Sequence, residues 1–551
     1  MAVQNKKLGT IAVDVIPILP GGENGGAKVF ALELLRRLAE MAPQTQFVLL
    51  TQSASHEELA ILDRPNMRRM MVVRPVPANS HPARWVNLAS RIVRRLPPRL
   101  GAVASRFGNR VLAQRKHVGA GSLLRDQGVD LLYCPFTAPT YFEAGIPTVC
   151  TVYDLQYKTY PQFFTAEDVA HRDRTFLDAC QRATALTAIS DYSRDSAIAY
   201  GKLDPTRIRT IHLRMAQRIA PGTGEGKAIL ESLQLTAQRY LVYPANFWKH
   251  KNHEMLLTAF GMACDGDLPN DIKLVCTGAP GARQEWLMCA AQAMGLGARV
   301  LFPGYLPSAE LASLMAHCSG VVFPSLYEGF GLPVIEAMAA GVPVACSNTT
   351  SLPEVAADAA ILFDPRVPTQ IARAMASLVA DEPLRARLIA AGIDRCAAFS
   401  DVERMATEYW ELFNYALDHQ SPQTLLSGAH ADGWAGPRLQ VQIGPSTGKR
   451  TLELKLSAPL WLPDPRLTLQ VHQNGNRQGD RLKFARGTDV ELSLPISSKG
   501  GHFEISISPF FVPAKKGLGD DQRELSVYLR RCSIRANNSD CVELFPAKMP
   551  S

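Results

Sequence analysis

The order of short apolar runs and helical patterns constrains the fold of this 551-residue chain more than any other feature. Two regions alternate such runs with segments of helical periodicity, and a break rich in Gly, Pro and polar residues, Arg218–Lys227, separates them. This alternation is typical of parallel sheets whose strands are joined by crossover helices. The sequence therefore predicts two doubly wound α/β domains facing a cleft. The predicted strands are Ile11–Ile18, Phe47–Thr51, Leu131–Tyr133, Thr148–Val152, Ala185–Ile189, Tyr240–Pro244, Ile272–Thr277, Val300–Phe302, Val321–Phe323, Val342–Ala345 and Ala360–Phe363.

The last part of the chain has a different pattern. Ser421–Gly436 has the composition of a linker, and from Leu439 to Leu544 short alternating strand patterns are separated by turn signals. Several short strands at regular spacing predict an all-β, sandwich-like domain at residues 437–546. Its aromatic residues either form the core, which is the usual role of strand aromatics, or form a platform that stacks on carbohydrate rings. These residues are Trp434, Trp461, Phe503, Phe510, Phe511 and Tyr528.

Composition and cysteine usage indicate a globular protein of a reducing compartment. Apolar residues make up 46% of the chain and charged residues 20%, which are ordinary values. No apolar run approaches the roughly 20 residues that a membrane span requires, and the N-terminus lacks a signal-peptide pattern. The 11 cysteines are scattered without a Cys-x-x-Cys pair. We therefore expect buried thiols and a cytosolic location.

One segment concentrates positive charge without any acidic residue. Residues 64–125 contain 14 Lys and Arg and no acidic residue, whereas the whole chain has a net charge of +8. Apolar residues such as Trp85 are interleaved with them, as in a basic amphipathic surface. A nucleic-acid patch would be accompanied by a recognition motif, and we find none. A merely solvated face does not explain the absence of acids. We expect this segment to contact an anionic membrane surface or a pyrophosphate-linked lipid.

The most informative motif is a strand–loop–helix segment at residues 320–345. Its loop contains glycines, and Pro333 begins the predicted helix, which runs through Ala340. Glycines let backbone amides approach a ligand closely, and the free N–H groups at a helix start attract an anion. Glu328 and Glu336 lie on either side of this anion site, and carboxylates accept hydrogen bonds from hydroxyls. The pair therefore favours a ligand with sugar hydroxyls on both sides of a diphosphate.

This segment resembles the Glu-x7-Glu signature of the retaining GT-B glycosyltransferases of family 4. In that family the second Glu, here Glu336, holds the ribose hydroxyls of a nucleotide sugar. The first, here Glu328, faces the transferred sugar and the phosphate. A preference for a helix N-terminus or for a polar loop would explain either Glu alone, but not the whole string. The resemblance also implies donor contacts from the loop residues Gly329, Phe330, Gly331 and Leu332.

The resemblance implies how the domains are arranged. Residues 1–217 would form a Rossmann-like acceptor domain, and residues 228–398 a Rossmann-like domain that binds the nucleotide-sugar donor. A helix at residues 399–418 resembles the family's closing helix, which crosses back onto the first domain. The β domain at residues 437–546 has no counterpart in the minimal family fold.

A glycine-rich segment, Gly21–Gly26, follows the first strand and precedes a predicted helix at Ala27–Leu38. Glycines at the carboxyl edge of a sheet place backbone amides in the cleft. A glycine cluster alone is more often a flexible loop. The family resemblance places Gly25 and Gly26 opposite the donor phosphates, which favours a binding role.

Lys251 matches the family lysine that neutralises the donor diphosphate and supports departure of the leaving group. The family often has an Arg six residues earlier, where this chain has Ala245. Lys249 and His250 are the alternatives for a second positive contact. A solvated lysine is the simpler interpretation of Lys251, but Asn252 begins the helix expected after the family lysine.

Tyr153 and Asp154 follow a strand at the place where the family commonly has His-Asp. The family His contacts the donor sugar, and its role does not transfer simply to Tyr153, whose hydroxyl titrates near pH 10 and is a poor proton acceptor. Retaining transfer in this fold is thought to occur on one face of the sugar, where a donor phosphate oxygen takes the acceptor proton. A missing His then costs less than a missing base would. The resemblance implies that Asp154 orients the sugar or the acceptor, and the candidate catalytic residues are Glu328, Asp154 and Lys251.

We expect no metal and no cofactor. Asp265-Gly266-Asp267 imitates the metal-binding Asp-x-Asp of another glycosyltransferase fold. It lies between a helix and Leu268-Pro269, however, and is predicted to be a turn. No His spacing suits a zinc site.

The predicted function is retaining, metal-independent transfer of a sugar from a nucleotide-diphosphate sugar to a lipid-linked or growing polysaccharide. Such an acceptor would be O-antigen, capsule or exopolysaccharide at the inner face of the plasma membrane. The donor base stays open between GDP and UDP, although the segment around Phe247-Trp248 resembles transferases of mannose-like sugars and favours GDP-mannose. One alternative is a non-catalytic sugar-nucleotide-binding or scaffold protein, motivated by Tyr153 and Ala245. A nucleotide-sugar epimerase is the other, and nothing specific supports it.

Overall fold

The strands of the chain form three sheets in the computed structural model, two of them parallel and one antiparallel. The fold class predicted from the sequence is thereby confirmed. The structure describes residues 8–20, 25–73, 123–218, 226–419, 424–430, 432–446, 448–518, 521, 523–536 and 541–545.

The first sheet consists of β1 (Thr10–Asp14), β2 (Gln46–Gln52), β3 (Met67–Val73), β4 (Leu131–Cys134), β5 (Thr148–Val152), β6 (Ala185–Ala188) and β7 (Ile208–Thr210). These strands are parallel and lie in the order β3-β2-β1-β4-β5-β6-β7. In β1, Ile11 and Val13 pack into one buried cluster and Ala12 into another, so both faces of the sheet are covered. Strands buried on both faces appear in sequence as continuous apolar runs, which is why they could be predicted. The described helices of this region are α1 (Gly25–Met41), α2 (Leu123–Asp126), α3 (Gln156–Thr159), α4 (Ala166–Arg182) and α5 (Asp191–Gly201).

The second sheet consists of β8 (Tyr240–Pro244), β9 (Lys273–Thr277), β10 (Val300–Gly304), β11 (Gly320–Phe323), β12 (Val344–Ser347) and β13 (Ala360–Phe363). Its strands are parallel in the order β10-β9-β8-β11-β12-β13. Chain order therefore reverses direction between β8 and β11, as it does between β1 and β4 in the first sheet. Such a reversal is the point at which open α/β sheets bind ligands. The helices around it are α6 (Gly226–Ser232), α7 (His253–Asp265), α8 (Ala282–Ala293), α9 (Ser308–Ala316), α10 (Leu332–Ala339), α11 (Leu352–Ala356), α12 (Pro368–Ala380) and α13 (Glu382–Ala397).

A last helix, α14 (Val402–Asp418), packs against the first α/β region. The Tyr409 ring lies 6.0 Å from Phe30 and 5.7 Å from Tyr133, and Phe413 lies 5.2 Å from Tyr133, between ring centroids. These aromatic contacts join the end of the second region to the first. None of the helices within the described ranges is both long and apolar enough to cross a membrane. The exact domain boundaries stay predictions.

The C-terminal region forms a single antiparallel sheet. Its strands are β14 (Thr424–Ala429), β15 (Trp434–Ile443), β16 (Arg450–Ser457), β17 (Arg466–Gln473), β18 (Asn476–Ala485), β19 (Asp489–Ile496), β20 (Gly501–Ser508), β21 (Val527–Ala536) and β22 (Cys541–Phe545). All are hydrogen-bonded in one connected sheet, and one face carries a single buried cluster that includes Leu454, Phe503 and Val527. The sheet buries this face by folding over itself, because its described residues include no α-helix. The two layers expected of a sandwich are thus parts of one continuous sheet.

The aromatic residues of this region divide between the two predicted roles. Phe503 is fully buried in the core and Phe511 nearly so. The Trp434 ring lies 5.4 Å from that of Trp461, which is 56% exposed, and Phe510 is also exposed. The prediction that all six rings form one stacking platform is therefore wrong.

The structure also corrects several local predictions. Strand β14 and the start of β15 lie within Ser421–Gly436, which was predicted to be a linker. Strand β3 lies inside the basic segment, whose charges hid its pattern, and α1 begins at Gly25 rather than at Ala27. Most of the basic segment, residues 74–122, lies outside the described residues, so its predicted membrane contact stays a prediction. At its described start the charges are paired within the protein, since Arg69 lies 2.9 Å from Asp63.

Candidate functional site

The crevice at the carboxyl ends of β8 and β11 brings together two segments predicted from distant parts of the sequence. The loop after β8 carries Lys251, and the loop after β11 carries Glu328. Asn252 joins the two loops, because its side-chain amide donates to the carbonyl of Pro324 at 3.1 Å. The topological reversal of the sheet thus places a cation and a carboxylate where ligands of this fold class bind.

The loop between β11 and α10 has its carbonyl groups held by hydroxyls. The Ser351 hydroxyl donates to the carbonyls of Glu328 at 3.0 Å and of Phe330 at 2.9 Å. The Ser190 hydroxyl, from the first domain, donates to the carbonyl of Gly329 at 2.7 Å. These bonds fix the direction of three successive peptide groups.

The backbone amides of the same loop are free to bind a ligand. Within the part of the chain that the structure describes, the N–H groups of residues 329–332 donate no hydrogen bond. Gly331 has φ 111°, a conformation that favours glycine, and directly precedes α10. The side chain of Phe330 is buried, so only its backbone can reach a ligand. Free amides at a helix N-terminus form a cradle for an anion such as a phosphate.

The first domain approaches this loop closely. A Cβ on Gly329 would collide with the carbonyl oxygen of Tyr153, and a Cβ on Gly26 would lie 3.6 Å from Leu332 Cδ1. Gly25 and Gly26 form the first turn of α1, where backbone N–H groups have no partner within the helix. Gly25 and Gly26 therefore lie across the cleft from the predicted donor loop, whereas residues 21–24 of the glycine-rich segment lie outside the described residues.

Lys251 and Glu328 form an ion pair in the crevice. Their Nζ and Oε1 atoms are 2.6 Å apart, and both side chains are 12% exposed. The Tyr243 hydroxyl donates to the carbonyl of Lys251 at 2.7 Å and holds this loop in place. The pair keeps an ammonium beside the amide cradle, where it can neutralise a phosphate. Among the described residues none donates to Glu328 Oε2, so this oxygen can accept a hydroxyl.

Glu336 lies in α10 and is 2% exposed. Its Oε1 atom accepts hydrogen bonds from Arg218, at 2.7 Å from Nε and 2.6 Å from Nη2. Burial raises the pKa of Glu336, and the Arg218 guanidinium opposes that shift. Among the described residues none donates to Oε2, which leaves this oxygen for a ligand hydroxyl. In the sequence, Arg218 was only the first residue of the break between the two α/β regions, and its contact with Glu336 was not predicted.

Tyr153 and Asp154 lie at the carboxyl end of β5, on the other side of the cleft. The Tyr153 hydroxyl is buried without a hydrogen-bond partner among the described residues. The centroid of the Tyr153 ring lies 6.1 Å from that of Phe30. Burial raises the pKa of this phenol well above its ordinary value, so it stays protonated. Asp154 as a residue is exposed at the surface, yet the surrounding protein desolvates its carboxyl group, and this desolvation raises its pKa. The backbone N–H of Gln156 opposes that shift.

His250 does not supply a second positive charge beside Lys251. Burial lowers the pKa of His250 to about 4, with the Lys251 ammonium acting in the same direction. In the free protein the imidazole is therefore neutral at pH 7, which disfavours His250 as the cationic contact, and the second positive contact stays a prediction. Lys249, the other alternative, is exposed to solvent.

Two protein-family models match the chain. The model for Glycosyltransferase Family 4 matches residues 24–213, and the model for Glycosyl transferases group 1 matches residues 228–395. Together they cover more than half of the chain and coincide with its two parallel sheets. The chain belongs to glycosyltransferase family 4. The family and the GT-B fold predicted from the Glu-x7-Glu segment are confirmed.

The family-4 chain is similar to curated mannosyltransferases of Escherichia coli. It is 30% identical over 257 residues to O-antigen chain mannosyltransferase B, a match covering 46% of this chain and 66% of that protein. It is also 30% identical over 224 residues to the serotype-specific mannosyltransferase WbdA, covering 40% of this chain and 27% of that protein. The chain thus spans less than two thirds of the length of these curated relatives.

Among solved structures, the family-4 chain resembles Anabaena HepE, crystallised in complex with UDP and glucose. The TM-score is 0.53 at 16% identity, and the match covers 73% of this chain and 98% of that one. At this identity the likeness shows a shared fold.

A second contact between the two halves of this family-4 chain was missed in the sequence. The Glu354 carboxylate accepts hydrogen bonds from the backbone N–H of Asp191 at 2.8 Å and of Tyr192 at 3.1 Å, at the start of α5. It also lies 2.6 Å from His212 Nε2. Ligand atoms of Asp191, His212 and Glu354 all lie within 4.8 Å of one another, a spacing that a metal ion could also use. The amides and the imidazole already satisfy Glu354, which makes it a clamp between the domains.

Proposed function

We propose that this chain is a retaining glycosyltransferase that moves a sugar from a nucleotide-diphosphate sugar to a lipid-linked or growing bacterial polysaccharide, without a metal. The single observation that carries the proposal is the crevice between β8 and β11. There the free amides of residues 329–332 lie beside the Lys251–Glu328 pair. A diphosphate needs amides and a cation, and a sugar needs hydroxyl acceptors; this crevice offers both.

The proposed contacts to the nucleotide-sugar donor follow from the chemistry of each group in the crevice. The amides of residues 329–332 and the Lys251 ammonium would bind the diphosphate. Glu336 Oε2 would accept a ribose hydroxyl while Arg218 holds Oε1. Glu328 would accept a hydroxyl of the transferred sugar once the phosphate draws Lys251 toward itself.

The reaction step breaks the bond between the sugar's anomeric carbon and the donor phosphate oxygen, and forms a bond from that carbon to an acceptor hydroxyl oxygen. The leaving diphosphate takes the acceptor proton on the same face of the sugar. Lys251 and the amides would stabilise the charge that develops on the phosphate. Asp154 would orient the sugar or the acceptor, and Tyr153, whose hydroxyl is buried, would contact the sugar with its ring.

GDP-mannose is the donor that we propose first. Both curated relatives are named mannosyltransferases, and one is named for the O-antigen chain. UDP-linked sugars are the alternative, since the solved neighbour HepE was crystallised with UDP and glucose. The acceptor would be reached at the cytoplasmic face of the plasma membrane, where residues 64–125 would bind anionic lipid at about 1 kcal/mol for each basic residue near the surface.

Thermal shift against a panel of GDP- and UDP-sugars tests the donor. The nucleotide sugar that stabilises the protein is then supplied with a membrane extract, with and without a chelator. We expect transfer at equal rates in both samples and a product with the donor's anomeric configuration. Stabilisation by UDP-sugars alone would reject GDP-mannose, and loss of transfer on chelation would reject the metal-independent step.

The alternative is a protein that binds sugar nucleotides without transferring them. It is favoured by Tyr153 at the family His position and by the neutral His250. Tight donor binding together with no transfer to any membrane extract would support this alternative.

A further inference from the structure

A groove with a volume of about 1350 Å³ separates the first α/β domain from the β domain. One wall is the outward face of the antiparallel sheet, and the other consists of the loops after β1 and β4 together with α4. Leu425 of β14 packs against Phe142 and Ala144 of the first domain, so the two walls are in direct contact at one end. The volume exceeds that of a typical small-molecule pocket, roughly 300–1,000 Å³, and has room for a ligand larger than one sugar ring.

Polar side chains of three neighbouring strands line the sheet wall. In β15 and β20, Gln440 lies opposite Glu504 and Gln442 opposite His502. In β17, His472 lies opposite Glu504 from the other side. These residues alternate with core residues, so their side chains share the outward face. The result is a continuous strip of amide, imidazole and carboxylate groups.

Two atoms of this strip are buried without hydrogen-bond partners among the described residues. They are Gln442 Oε1 and His472 Nδ1. Buried polar atoms in native proteins nearly always have partners, so each such atom needs an explanation. Both residues line the groove. Their unpartnered atoms have almost no accessible surface in the free protein, so ligand hydroxyls would satisfy them once these side chains turn toward the groove.

The opposite wall is held rigid by a buried carboxylate. Asp14, at the end of β1, accepts hydrogen bonds from the backbone N–H of Ile16 at 3.2 Å, of Thr140, and of Tyr141 at 3.3 Å. It therefore ties the loop after β1 to the loop after β4. Aromatic rings on the second loop, including Phe136 and Tyr141, face the groove.

The charges around the groove nearly cancel. Cationic Arg125, Arg174, Arg182 and Lys499 accompany anionic Glu143, Asp178 and Glu504. Arg182 lies 2.6 Å from Asp178, and Arg125 lies 3.7 Å from Glu143. Burial lowers the pKa of both His171 and His430, which favours their neutral forms. A strongly anionic or cationic polymer would find no matching surface, whereas neutral hydroxyls would find many donors and acceptors.

The groove lies next to the candidate active site. Phe136 lines the groove, and its ring centroid is 6.3 Å from that of Tyr153. A ligand in the groove would therefore extend toward the cleft in which Asp154 lies. We propose that the β domain and the first domain together bind several residues of a neutral oligosaccharide, the part of the acceptor chain behind its reacting end. This inference rests on the proposed function, since a glycan-elongating enzyme uses such a subsite to hold the chain that it extends.

The test measures binding of fluorescently tagged oligosaccharides of one to six residues to the full chain without donor. The ladders are α-linked mannose, α-linked glucose, β-linked glucose and anionic α-linked galacturonate. We expect affinity for at least one neutral ladder to rise with length and the galacturonate ladder to bind worse. Gln442→Ala and His472→Ala should each weaken binding of the longest ligand by about fivefold, the value of one hydrogen bond. Gln478→Ala, on the exposed edge strand β18, is the matched control and should bind as the original chain does.

Two outcomes would overturn the inference. One is that no neutral ladder binds more tightly with length, and the other is that both groove variants bind the longest ligand as the control does. Thermal melting of each variant distinguishes a lost contact from a misfolded domain, and Gln440→Ala replaces any variant that fails to fold. Failure of the proposed function is seen separately, because Glu336→Ala should weaken donor binding and leave ladder binding unchanged.

Discussion

The donor crevice and the oligosaccharide groove differ in how the chain builds them. In the crevice, two carboxylates and four amides come from one short segment, Glu328–Glu336, and Lys251 comes from the loop after a neighbouring strand of the same sheet. In the groove, one wall comes from loops near residues 16 and 140, and the other from strands beyond residue 424. A site built within one strand–loop–helix unit is visible as a motif. A site built between domains becomes visible only once their packing is known. The four substitutions below separate local contributions from those that depend on packing between distant segments.

The largest effect is expected for Lys251→Ala. Its ammonium would lie on the leaving diphosphate, and removing one such charge-stabilising group typically lowers the rate 10²–10³-fold, about 2.7–4 kcal/mol. The measurement is kcat for sugar transfer with the donor found by thermal shift. Lys515→Ala, an exposed lysine of the β domain, serves as the control. An undiminished kcat in Lys251→Ala would show that the crevice takes no part in the reaction.

Asp14 should have the next largest effect, through pH. Burial raises its pKa from 3.8 to about 6, so the folded protein binds the proton more tightly than the unfolded chain. Its contribution to stability is full below about pH 4 and is lost as the pH rises through 6, by a total of roughly 3 kcal/mol. Asp14→Asn does not titrate. The melting temperature of the original chain should therefore fall relative to that of the variant between pH 4 and pH 7; a constant difference would show that Asp14 is not desolvated.

Glu336→Ala tests the local carboxylate. Loss of the buried acceptor would leave a ribose hydroxyl and Arg218 without their partner, which weakens nucleotide-sugar binding by about 1–3 kcal/mol. Titration calorimetry with the donor measures the change. The matched control is Glu285→Ala, an exposed glutamate in the first turn of α8. Equal donor affinity in the two variants would reject the ribose assignment.

The smallest effect is expected for Glu354→Ala. This carboxylate caps the start of α5 across the domain interface, and losing a cap costs about 0.5–2 kcal/mol. The melting temperature of Glu354→Ala should be lower than that of the original chain. Glu354→Gln keeps an acceptor for one amide, so its melting temperature should decrease less. If the two variants melt together at the original temperature, the clamp contributes nothing to domain association.

The same contrast explains what could be predicted from sequence. The fully buried strands β4, β5, β6, β8 and β11 appear as apolar runs, and the glycine loop before α10 signals an anion site. The roles of Glu328, Lys251 and Glu336 followed from a family resemblance, and they stay predictions. Strand β3 was missed because its arginines resemble a basic surface.

The contacts that were missed join segments far apart in the chain. Arg218 reaches Glu336, and His212 reaches Glu354, across more than 100 positions. No local pattern marks such a pair, because a charged residue has the same sequence context whether its partner is a residue or water. The β domain was predicted as a domain, but its groove depends on which face packs against the first domain.

The most direct test of the account is amide hydrogen exchange in the β11–α10 loop. The N–H groups of residues 329–332 donate to no group within the described chain, so they should exchange quickly in the free protein. We predict that saturating GDP-mannose, or the UDP-sugar that calorimetry shows to bind, slows exchange in the peptide covering these residues. The exposed turn at Gly295, which precedes β10 at the opposite edge of the sheet, should be unaffected. If the nucleotide sugar binds and exchange at residues 329–332 does not change, the diphosphate lies elsewhere and the central claim is wrong.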